Sequence, residues 1–234
     1  MKLLILAGGK GTRLRSEVPD VPKVLAPING EPFINLQIEN WLAQGITSFV
    51  FILHHDANLI KDYISNLYPK LIKNKTIQFV IESQPLDTGG AVSNAIHELN
   101  LNSNFLVTNA DTWLSTGFKM MWNSKAPSIA VTKVSDISRF GKVCFEDDKV
   151  ISFEEKNNIS EPGYINAGIF LFHPSDFRTQ TNKIFSLERT LLVELVNKNK
   201  LNIVKLNTYF IDIGVPSDYN RFCRWIANNK KNKL

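Results

Sequence analysis

Short apolar runs alternate with amphipathic stretches through the first half of the chain. Apolar residues at helical spacing, such as Ile34, Ile38 and Trp41, predict helices, whereas runs of β-branched and aromatic residues predict strands. On this basis we expect strands at 3–6, 47–53, 76–81 and 105–111, and helices at 31–44, 57–67 and from Gly90 onward. A β-α-β-α-β order predicts a largely parallel sheet with helices on its faces.

The second half of the chain is less regular. Strands are expected at 128–134, 149–153, 165–172 and 201–206, and a further short strand ends near Asp212. Ser186 is a suitable N-cap for a helix over 186–197 whose leucines share one face, and Pro216 suits the first turn of a last helix that reaches Asn228. Because no repeat, low-complexity linker or domain boundary is visible, we expect a single α/β domain over residues 1–234.

The composition is that of a globular protein with an ample core. Of 234 residues, 44% are hydrophobic, yet no apolar run reaches the ~18 residues of a membrane span. Lys2 leads directly into a strand, so no signal peptide is expected. Cys144 and Cys223 have neither metal-binding nor redox spacing, and a reducing cytoplasm is the expected location.

The net charge of +5 comes from the C-terminal end of the chain. The first 220 residues hold 22 basic and 22 acidic side chains, whereas the last 14 hold five basic side chains and no acidic ones. We interpret the segment from about residue 221 as a solvated basic tail. Aromatic residues do not alternate with these charges as a nucleic-acid platform requires, so we expect no nucleic-acid partner.

Candidate chemistry begins where the first strand ends. Gly8, Gly9 and Gly11 allow a sharp turn whose amide N–H groups can approach an anion, and Arg13 can donate two hydrogen bonds to phosphate oxygens. No Gly-Lys-Ser/Thr follows, which excludes a P-loop, and Leu14 excludes a dinucleotide-binding fingerprint. The pattern indicates a triphosphate site, and a tight surface turn is the alternative.

Three further segments carry candidate ligands. Pro22 and Pro27 stiffen the loop that presents Lys23, which is either a second cation for a polyphosphate or an ordinary surface lysine. Gln84 follows a strand and can both donate to and accept from a base edge, unless its loop is a plain connection. Asp111 ends a buried strand, where it can hold Mg²⁺ or cap a turn.

Taken in order, six parts of the chain resemble those of the sugar-1-phosphate nucleotidylyltransferases. They are 6–14 (Leu-Ala-Gly-Gly-Lys-Gly-Thr-Arg-Leu), Pro22-Lys23, 85–90 (Pro-Leu-Asp-Thr-Gly-Gly), 109–111 (Asn-Ala-Asp), Glu155-Lys156 with 166–168 (Asn-Ala-Gly), and 212–214 (Asp-Ile-Gly). The resemblance implies a Rossmann-like nucleotidyltransferase fold, in which a mixed, mostly parallel central sheet is flanked by helices. It also implies that a sugar 1-phosphate oxygen attacks the α-phosphorus of a nucleoside triphosphate and releases pyrophosphate.

The resemblance implies roles for particular residues. Arg13 and Lys23 are the expected catalytic cations, and Mg²⁺ is the expected cofactor, held by Asp111 and Asp212. Nucleotide-binding residues are expected at Leu6, Ala7, Gly8, Gly9, Gly11, Thr12, Arg13, Gln84, Asp87, Thr88, Gly89 and Gly90. Sugar-phosphate-binding residues are expected at Asn109, Gly141, Glu155, Lys156 and Asn166. The implied partners are the two substrates, with no nucleic acid and no membrane, and a homodimer is compatible with the resemblance.

Three departures from the family pattern bear on the substrate: Ala110 adds a methyl group to a tight site, Asp87 replaces a common glycine, and no β-helical domain follows. The chain is similar to the short heptose 1-phosphate guanylyltransferases and N-acetylmuramate 1-phosphate uridylyltransferases. Guanylyl-transferring relatives often carry Glu where Gln84 stands, but Asp87 offers guanine a second acceptor. We therefore favour GTP with D-glycero-D-manno-heptose 1-phosphate or mannose 1-phosphate. The alternatives are a UTP- or dTTP-dependent enzyme acting on a hexose or N-acetylmuramate 1-phosphate, and a non-catalytic regulatory subunit that binds nucleotide sugars.

Overall fold

The chain forms a mixed β-sheet with helices on both faces, in a computed structural model that describes residues 1–19, 21–156, 159–180 and 184–231. Its strands are β1 (Lys2–Leu6), β2 (Pro27–Ile28), β3 (Glu31–Pro32), β4 (Ser48–Leu53), β5 (Ile77–Ile81), β6 (Phe105–Asn109), β7 (Thr112–Leu114), β8 (Ser128–Val134), β9 (Lys142–Glu146), β10 (Lys149–Glu154), β11 (Gly163–Phe172), β12 (Asn202–Leu206) and β13 (Phe210–Asp212). Its α-helices are α1 (Phe33–Ala43), α2 (Ala57–Leu67), α3 (Pro69–Lys73), α4 (Asp87–Glu98), α5 (Phe118–Trp122), α6 (Val193–Asn197) and α7 (Pro216–Lys231). Short 3₁₀ turns cover Thr12–Leu14, Lys23–Leu25 and Pro174–Gln180, and a π-helical turn, Leu187–Leu192, precedes α6.

Within the described residues, the main sheet has nine strands in the order β5-β4-β1-β6-β11-β8-β12-β10-β9. β5, β4, β1 and β6 are parallel to one another, and β12 is parallel to β8. The remaining neighbours are antiparallel. The prediction of a mixed sheet is confirmed. Its continuous parallel part comes from the first half of the chain, where strands and helices alternate in sequence.

Alternate residues of β1 show how the sheet separates two hydrophobic layers. Leu3 and Ile5 are buried with α1 and α2 on one face, whereas Leu4 is buried with α4 and the segment 187–195 on the other. A third cluster joins α7 to α1 through Phe33 and Phe222. None of the helices in the described part of the chain is long and apolar enough to cross a lipid bilayer.

Two helices begin at other residues than their sequence patterns predict. The helix expected from 31 begins at Phe33, because β3 precedes it and pairs with β2. The helix expected from Gly90 begins at Asp87. The amides of Gly89 and Gly90 donate to the carbonyl of Phe185, so a distant segment satisfies the first turn of α4. No local pattern reveals such a partner.

Three more expectations need correction. Strand β6 ends at Asn109, before Asp111, and the chain then turns into β7, which pairs antiparallel with β13. Strand β9, which pairs with β10 and β11, has no counterpart in the sequence-based prediction. The segment from 221 is not a solvated tail, since it continues α7 with Phe222 and Ile226 buried. Residues 232–234 of the predicted tail lie outside the described residues.

Candidate active site

Two adjoining cavities open at the carboxyl ends of the parallel strands, where ligands of open α/β sheets bind. Their volumes are about 290 and 460 Å³, and they share Leu6, Gly9, Arg13 and Asp111, so they form one continuous cleft. The structure brings most of the predicted site residues to this cleft: Leu6, Ala7, Gly8, Gly9, Gly11, Thr12, Arg13, Lys23, Asp87, Thr88, Asn109, Asp111 and Asp212.

The glycine loop after β1 has the backbone form that an anion-binding turn requires. Gly11 has a φ of +61°, in the left-handed region, and a Cβ added there would lie 2.9 Å from the Cβ of Lys23. The loop therefore packs directly against the segment that carries Lys23. Arg13 follows in a 3₁₀ turn and is exposed in the cleft, where its guanidinium is accessible to phosphate oxygens.

Lys23, Asp111 and Asp212 form one charged cluster. The pairing of β7 with β13 sets Asp212 opposite Thr112, the residue after Asp111. The ammonium of Lys23 donates to Asp111 Oδ2 and lies 3.6 Å from Asp212 Oδ1. The Gly214 amide also donates to Asp212 Oδ1, at 2.7 Å. Asp111 and Asp212, which are distant in sequence, therefore lie close together on either side of the Lys23 ammonium.

The electrostatics of this cluster suit a divalent cation bound together with phosphate. Burial and, after it, the nearby Asp111 carboxylate raise the pKa of Asp212 and outweigh the opposite effect of Lys23, so a further cation would stabilise the pair of negative charges. The described residues contain no group of three or more His, Cys, Asp or Glu side chains that could hold a metal. Two carboxylates nevertheless fit Mg²⁺, because proteins bind this ion through one or two carboxylates while water and substrate phosphates complete its coordination.

A buried carboxylate, Glu82, lies in another part of the cleft. It directly follows β5, is 8% exposed, and lines the 460 Å³ cavity with His54 and Pro85. Its Oε1 accepts a hydrogen bond from the Leu86 amide at 3.2 Å. A Cβ added to Gly8 would lie 3.2 Å from Oε2, so this second oxygen faces the glycine loop. Burial raises the pKa of Glu82, and the Leu86 amide and His54 partly offset that rise.

Gln84 does not line this cleft, contrary to the sequence-based prediction. Its side chain is exposed and borders a separate cavity of about 640 Å³, together with His97 and Gly90 of α4. The loop after β5 turns so that Glu82 faces the glycine loop and Gln84 faces away. Gly89 and Gly90 also differ from expectation, because their amides donate to the carbonyl of Phe185, at 2.9 and 3.1 Å.

Asp87 stays in the cleft, but its carboxylate already has partners in the chain. Its φ is +59°, a conformation that glycine adopts more easily. Oδ1 accepts from the Thr88 amide at 2.7 Å, and Oδ2 lies 3.2 Å from the guanidinium of Arg189. A role for Asp87 in base recognition stays a prediction.

Among the residues expected to bind the sugar phosphate, Asn109 lines the cleft. The other four do not border it as the described residues define it. Asn166 accepts a hydrogen bond from the backbone amide two residues further on, at 2.8 Å, and Gly141 packs against the backbone of β10. Glu155 and Lys156 are exposed after the end of β10. Their assignment to the sugar phosphate stays a prediction.

Among the cleft residues without a role in the sequence-based prediction are three ionisable ones, His54, Glu82 and Glu188. His54 and Glu82 directly follow β4 and β5, so their place at the carboxyl ends of parallel strands was the available signal. Glu188 comes from the π-helical turn, and the leucine pattern around it indicates core packing alone. Only the three-dimensional structure shows that it reaches the cleft.

The chain resembles known proteins along nearly its whole length. The family model described as nucleotidyl transferase matches residues 2–228. The chain is 36% identical to the D-glycero-alpha-D-manno-heptose 1-phosphate guanylyltransferase of Campylobacter jejuni, over 95% of this chain and 98% of that one. It is 32% identical to the enzyme of the same name from Aneurinibacillus thermoaerophilus, over 94% of this chain and 96% of that one. The crystal structure of HddC from Yersinia pseudotuberculosis, complexed with GMP-PN, matches with a TM-score of 0.84 and 32% identity, over 96% of this chain and 99% of HddC.

Proposed function

Because the chain belongs to the nucleotidyl transferase family, as its motifs predict, we propose that it transfers a guanylyl group from GTP to a sugar 1-phosphate. The products are a GDP-sugar and pyrophosphate. D-glycero-D-manno-heptose 1-phosphate is the favoured acceptor, followed by mannose 1-phosphate. The heptose 1-phosphate guanylyltransferases that match this chain over nearly their full length support this choice.

The buried carboxylate of Glu82 is the observation that carries the choice of GTP. Guanine presents two adjacent donors, N1–H and N2–H₂, whereas uracil and thymine present one N–H between two carbonyl oxygens. An ionised carboxylate accepts hydrogen bonds and donates none, so it suits guanine better than either pyrimidine. A carbonyl oxygen facing Glu82 would leave buried polar atoms unpaired, at a cost that selects against UTP and dTTP.

The charged groups of the cleft support transfer between two anionic substrates. Arg13 and the amides of the glycine loop bind the triphosphate and stabilise the departing pyrophosphate. Lys23 neutralises the attacking phosphate or the α-phosphate. Asp111 and Asp212 would hold Mg²⁺, which would spread the charge that develops on the phosphate oxygens. The sugar phosphate is itself the nucleophile, so positioning of the substrates carries much of the barrier reduction and no side-chain base is required.

The two cysteines support a cytoplasmic location. Cys144 and Cys223 are both free thiols. Free thiols are typical of a reducing compartment, whereas oxidising compartments favour disulfides. We assign the enzyme to the cytoplasm, with the two substrates as its partners.

A matrix of nucleoside triphosphates against sugar 1-phosphates, read by pyrophosphate release, tests the proposal. With Mg²⁺ present, we expect kcat/KM for GTP to exceed that for UTP and dTTP by about ten- to hundredfold, because an unpaired buried polar group costs about 1–3 kcal/mol. EDTA should abolish turnover. A preference for UTP or dTTP would refute the base assignment. No turnover with any nucleotide and a broad panel of hexose and heptose 1-phosphates would favour the non-catalytic binding subunit.

A further inference from the structure

Glu188 adds a further carboxylate to the 460 Å³ cavity, besides those of Glu82 and Asp87 and apart from the cluster around Lys23. It belongs to the π-helical turn Leu187–Leu192, a rare backbone form that is frequent at functional sites. It lines this cavity together with Thr88, at the start of α4, with Asn109, the last residue of β6, and with Thr112, the first residue of β7. None of the steps derived above uses this carboxylate.

One oxygen of Glu188 is held from two sides. Its Oε2 accepts from the Thr88 hydroxyl at 2.9 Å and from the Ser186 hydroxyl at 3.2 Å. Thr88 Oγ1 also accepts from the Leu187 amide at 2.8 Å, and Ser186 Oγ accepts from the Arg189 amide at 3.1 Å. Because backbone amides fix both hydroxyls, the carboxylate is oriented before any ligand binds.

The other oxygen of Glu188 keeps its capacity to accept. The hydrogen bonds that the Glu188 carboxylate makes within the described part of the chain both involve Oε2. A carboxylate oxygen has two lone pairs, and a carboxylate in a cavity is unfavourable without hydrogen-bond partners. A ligand that offers donors would satisfy Oε1, whereas a phosphate, which is itself anionic, would be repelled.

The position of Glu188 indicates which part of a substrate it contacts. Glu82 and His54, which follow β5 and β4, define the base end of the cavity. Asn109 ends β6, which lies on the other side of β1 from β4 and β5, and Thr112 begins β7 three residues further on. Glu188 shares the cavity with both groups, and Asn109 is the predicted sugar-phosphate residue that lines it.

We propose that Glu188 determines acceptor specificity, because its Oε1 accepts a hydrogen bond from a hydroxyl of the bound sugar 1-phosphate. This inference rests on the proposed function, since it requires a sugar phosphate in the cleft. The ribose of the nucleotide carries the same hydroxyl chemistry. The experiment therefore has separate arms for the two sugars.

The test combines Glu188→Gln with substrates that lack single hydroxyls. Gln keeps an oxygen for Thr88 and Ser186 but loses the charge. For the accepted sugar 1-phosphate, we expect kcat/KM to fall about ten- to hundredfold, mainly through KM, while KM for GTP stays within about twofold. For the analogue that lacks the contacted hydroxyl, kcat/KM should be nearly equal in wild type and variant. The loss caused by the substitution and the loss caused by removing the hydroxyl are then not additive.

Glu194→Gln, in α6 of the same segment and outside the cleft, is the matched control and should behave as wild type. The proposal would be overturned if the losses in kcat/KM from the substitution and from the missing hydroxyl were additive, or if Glu188→Gln affected GTP and the sugar 1-phosphate equally. Glu188 would then have only a structural role. If the losses were non-additive with 2′-deoxyGTP and additive with the deoxy-sugar, the proposal would also be overturned, and Glu188 would contact the ribose of the nucleotide. If Glu188→Gln does not fold, Glu188→Asp, with a retracted carboxylate, replaces it.

Calorimetry of sugar 1-phosphate binding separates this inference from the proposed function. Binding that weakens in Glu188→Gln, in a protein without turnover, would refute the proposed catalysis and support the contact. Turnover with unchanged sugar 1-phosphate binding and unchanged KM in the variant would support the catalysis and refute the contact.

Discussion

The Asp111 carboxylate contacts the Lys23 ammonium and lies near Asp212, so its charge can be removed with little change of shape. We expect Asp111→Asn to lower kcat/KM by at least about 10²-fold, as the loss of one preorganised electrostatic contact does. In EDTA its Tm should change little, because the lost attraction to Lys23 and the lost repulsion from Asp212 oppose each other. Pyrophosphate release and thermal melting measure the two effects. Asp62→Asn, at an exposed position on α2, is the control. If Asp111→Asn stayed active but was strongly destabilised, Asp111 would be a structural cap and not a metal ligand.

Glu82 is a buried carboxyl group whose pKa is raised, chiefly by burial. Folding therefore favours its protonated form: the charged form destabilises the folded state at neutral pH, and this cost disappears as pH falls toward the unfolded pKa of about 4.3. We expect Glu82→Gln to melt above wild type near neutral pH, with a difference that shrinks toward about pH 4. It should also lose at least about tenfold in kcat/KM for GTP, and much less for UTP.

Two variants control this experiment. Glu39→Gln, exposed on α1, should alter neither the melting curve nor the base preference. Asp87→Gly tests the earlier hypothesis that Asp87 supplies the acceptor for guanine. If Asp87→Gly lowers the ratio of kcat/KM for GTP to kcat/KM for UTP and Glu82→Gln does not, Asp87 makes the contact with the base. A Glu82→Gln protein that melts below wild type at neutral pH would contradict the effect assigned to burial.

Helix α4 and the segment before the π-helical turn meet at Gly89. A Cβ added there would lie 2.2 Å from the Phe185 ring, whose backbone carbonyl accepts from the Gly89 amide. We expect Gly89→Ala to cost about 1–3 kcal/mol of folding free energy through overpacking. It should also raise KM for both substrates, because Thr88 and Glu188 separate. Urea denaturation and steady-state kinetics measure these changes.

The neighbour of Gly89 offers a matched rescue. Phe185→Ala removes the ring that the new methyl group meets, so the double variant should be more stable than the sum of the two single losses predicts. Asn94→Ala, further along α4, should leave KM for both substrates unchanged. Additive losses in the double variant would mean that the cost of Gly89→Ala has another origin.

The two halves of the sheet differ in how far sequence predicts them. From β1 to β6, apolar strands alternate with amphipathic helices, and such an order restricts the chain to parallel neighbours. Beyond β6 the pairing depends on long-range partners: β11 contacts β6, β8 and β9, and no local pattern selects among them. Strand β9 is a different case, because it pairs mainly with β10, which follows it after a turn of only two residues, and the sequence-based prediction overlooked this local hairpin.

The cleft shows the same division. Residues just after parallel strands, such as Gly8 and Asp111, were predictable because the ends of neighbouring parallel strands meet at one edge, whereas Asp212 reaches the cleft through the antiparallel pairing of β13 with β7. Gln84 was predicted in the wrong cavity because the orientation of its loop depends on where α4 begins. The carbonyl of Phe185, which accepts from the first turn of α4, fixes that start. Glu188 was unpredictable because its position depends on hydrogen bonds to Thr88, far away in sequence.

The ammonium of Lys23 between two carboxylates acts as an internal counter-ion. At the proposed metal site a divalent cation would have to compete with this ammonium, and Lys23 would have to leave its position in order to bind a phosphate as proposed. A bound phosphate would attract the Lys23 ammonium away from the two carboxylates and would add negative charge near them. Binding of the phosphate would therefore favour binding of the cation, and the reverse. We therefore expect cation and nucleotide to enter as one complex, with little uptake of the cation when it is offered alone.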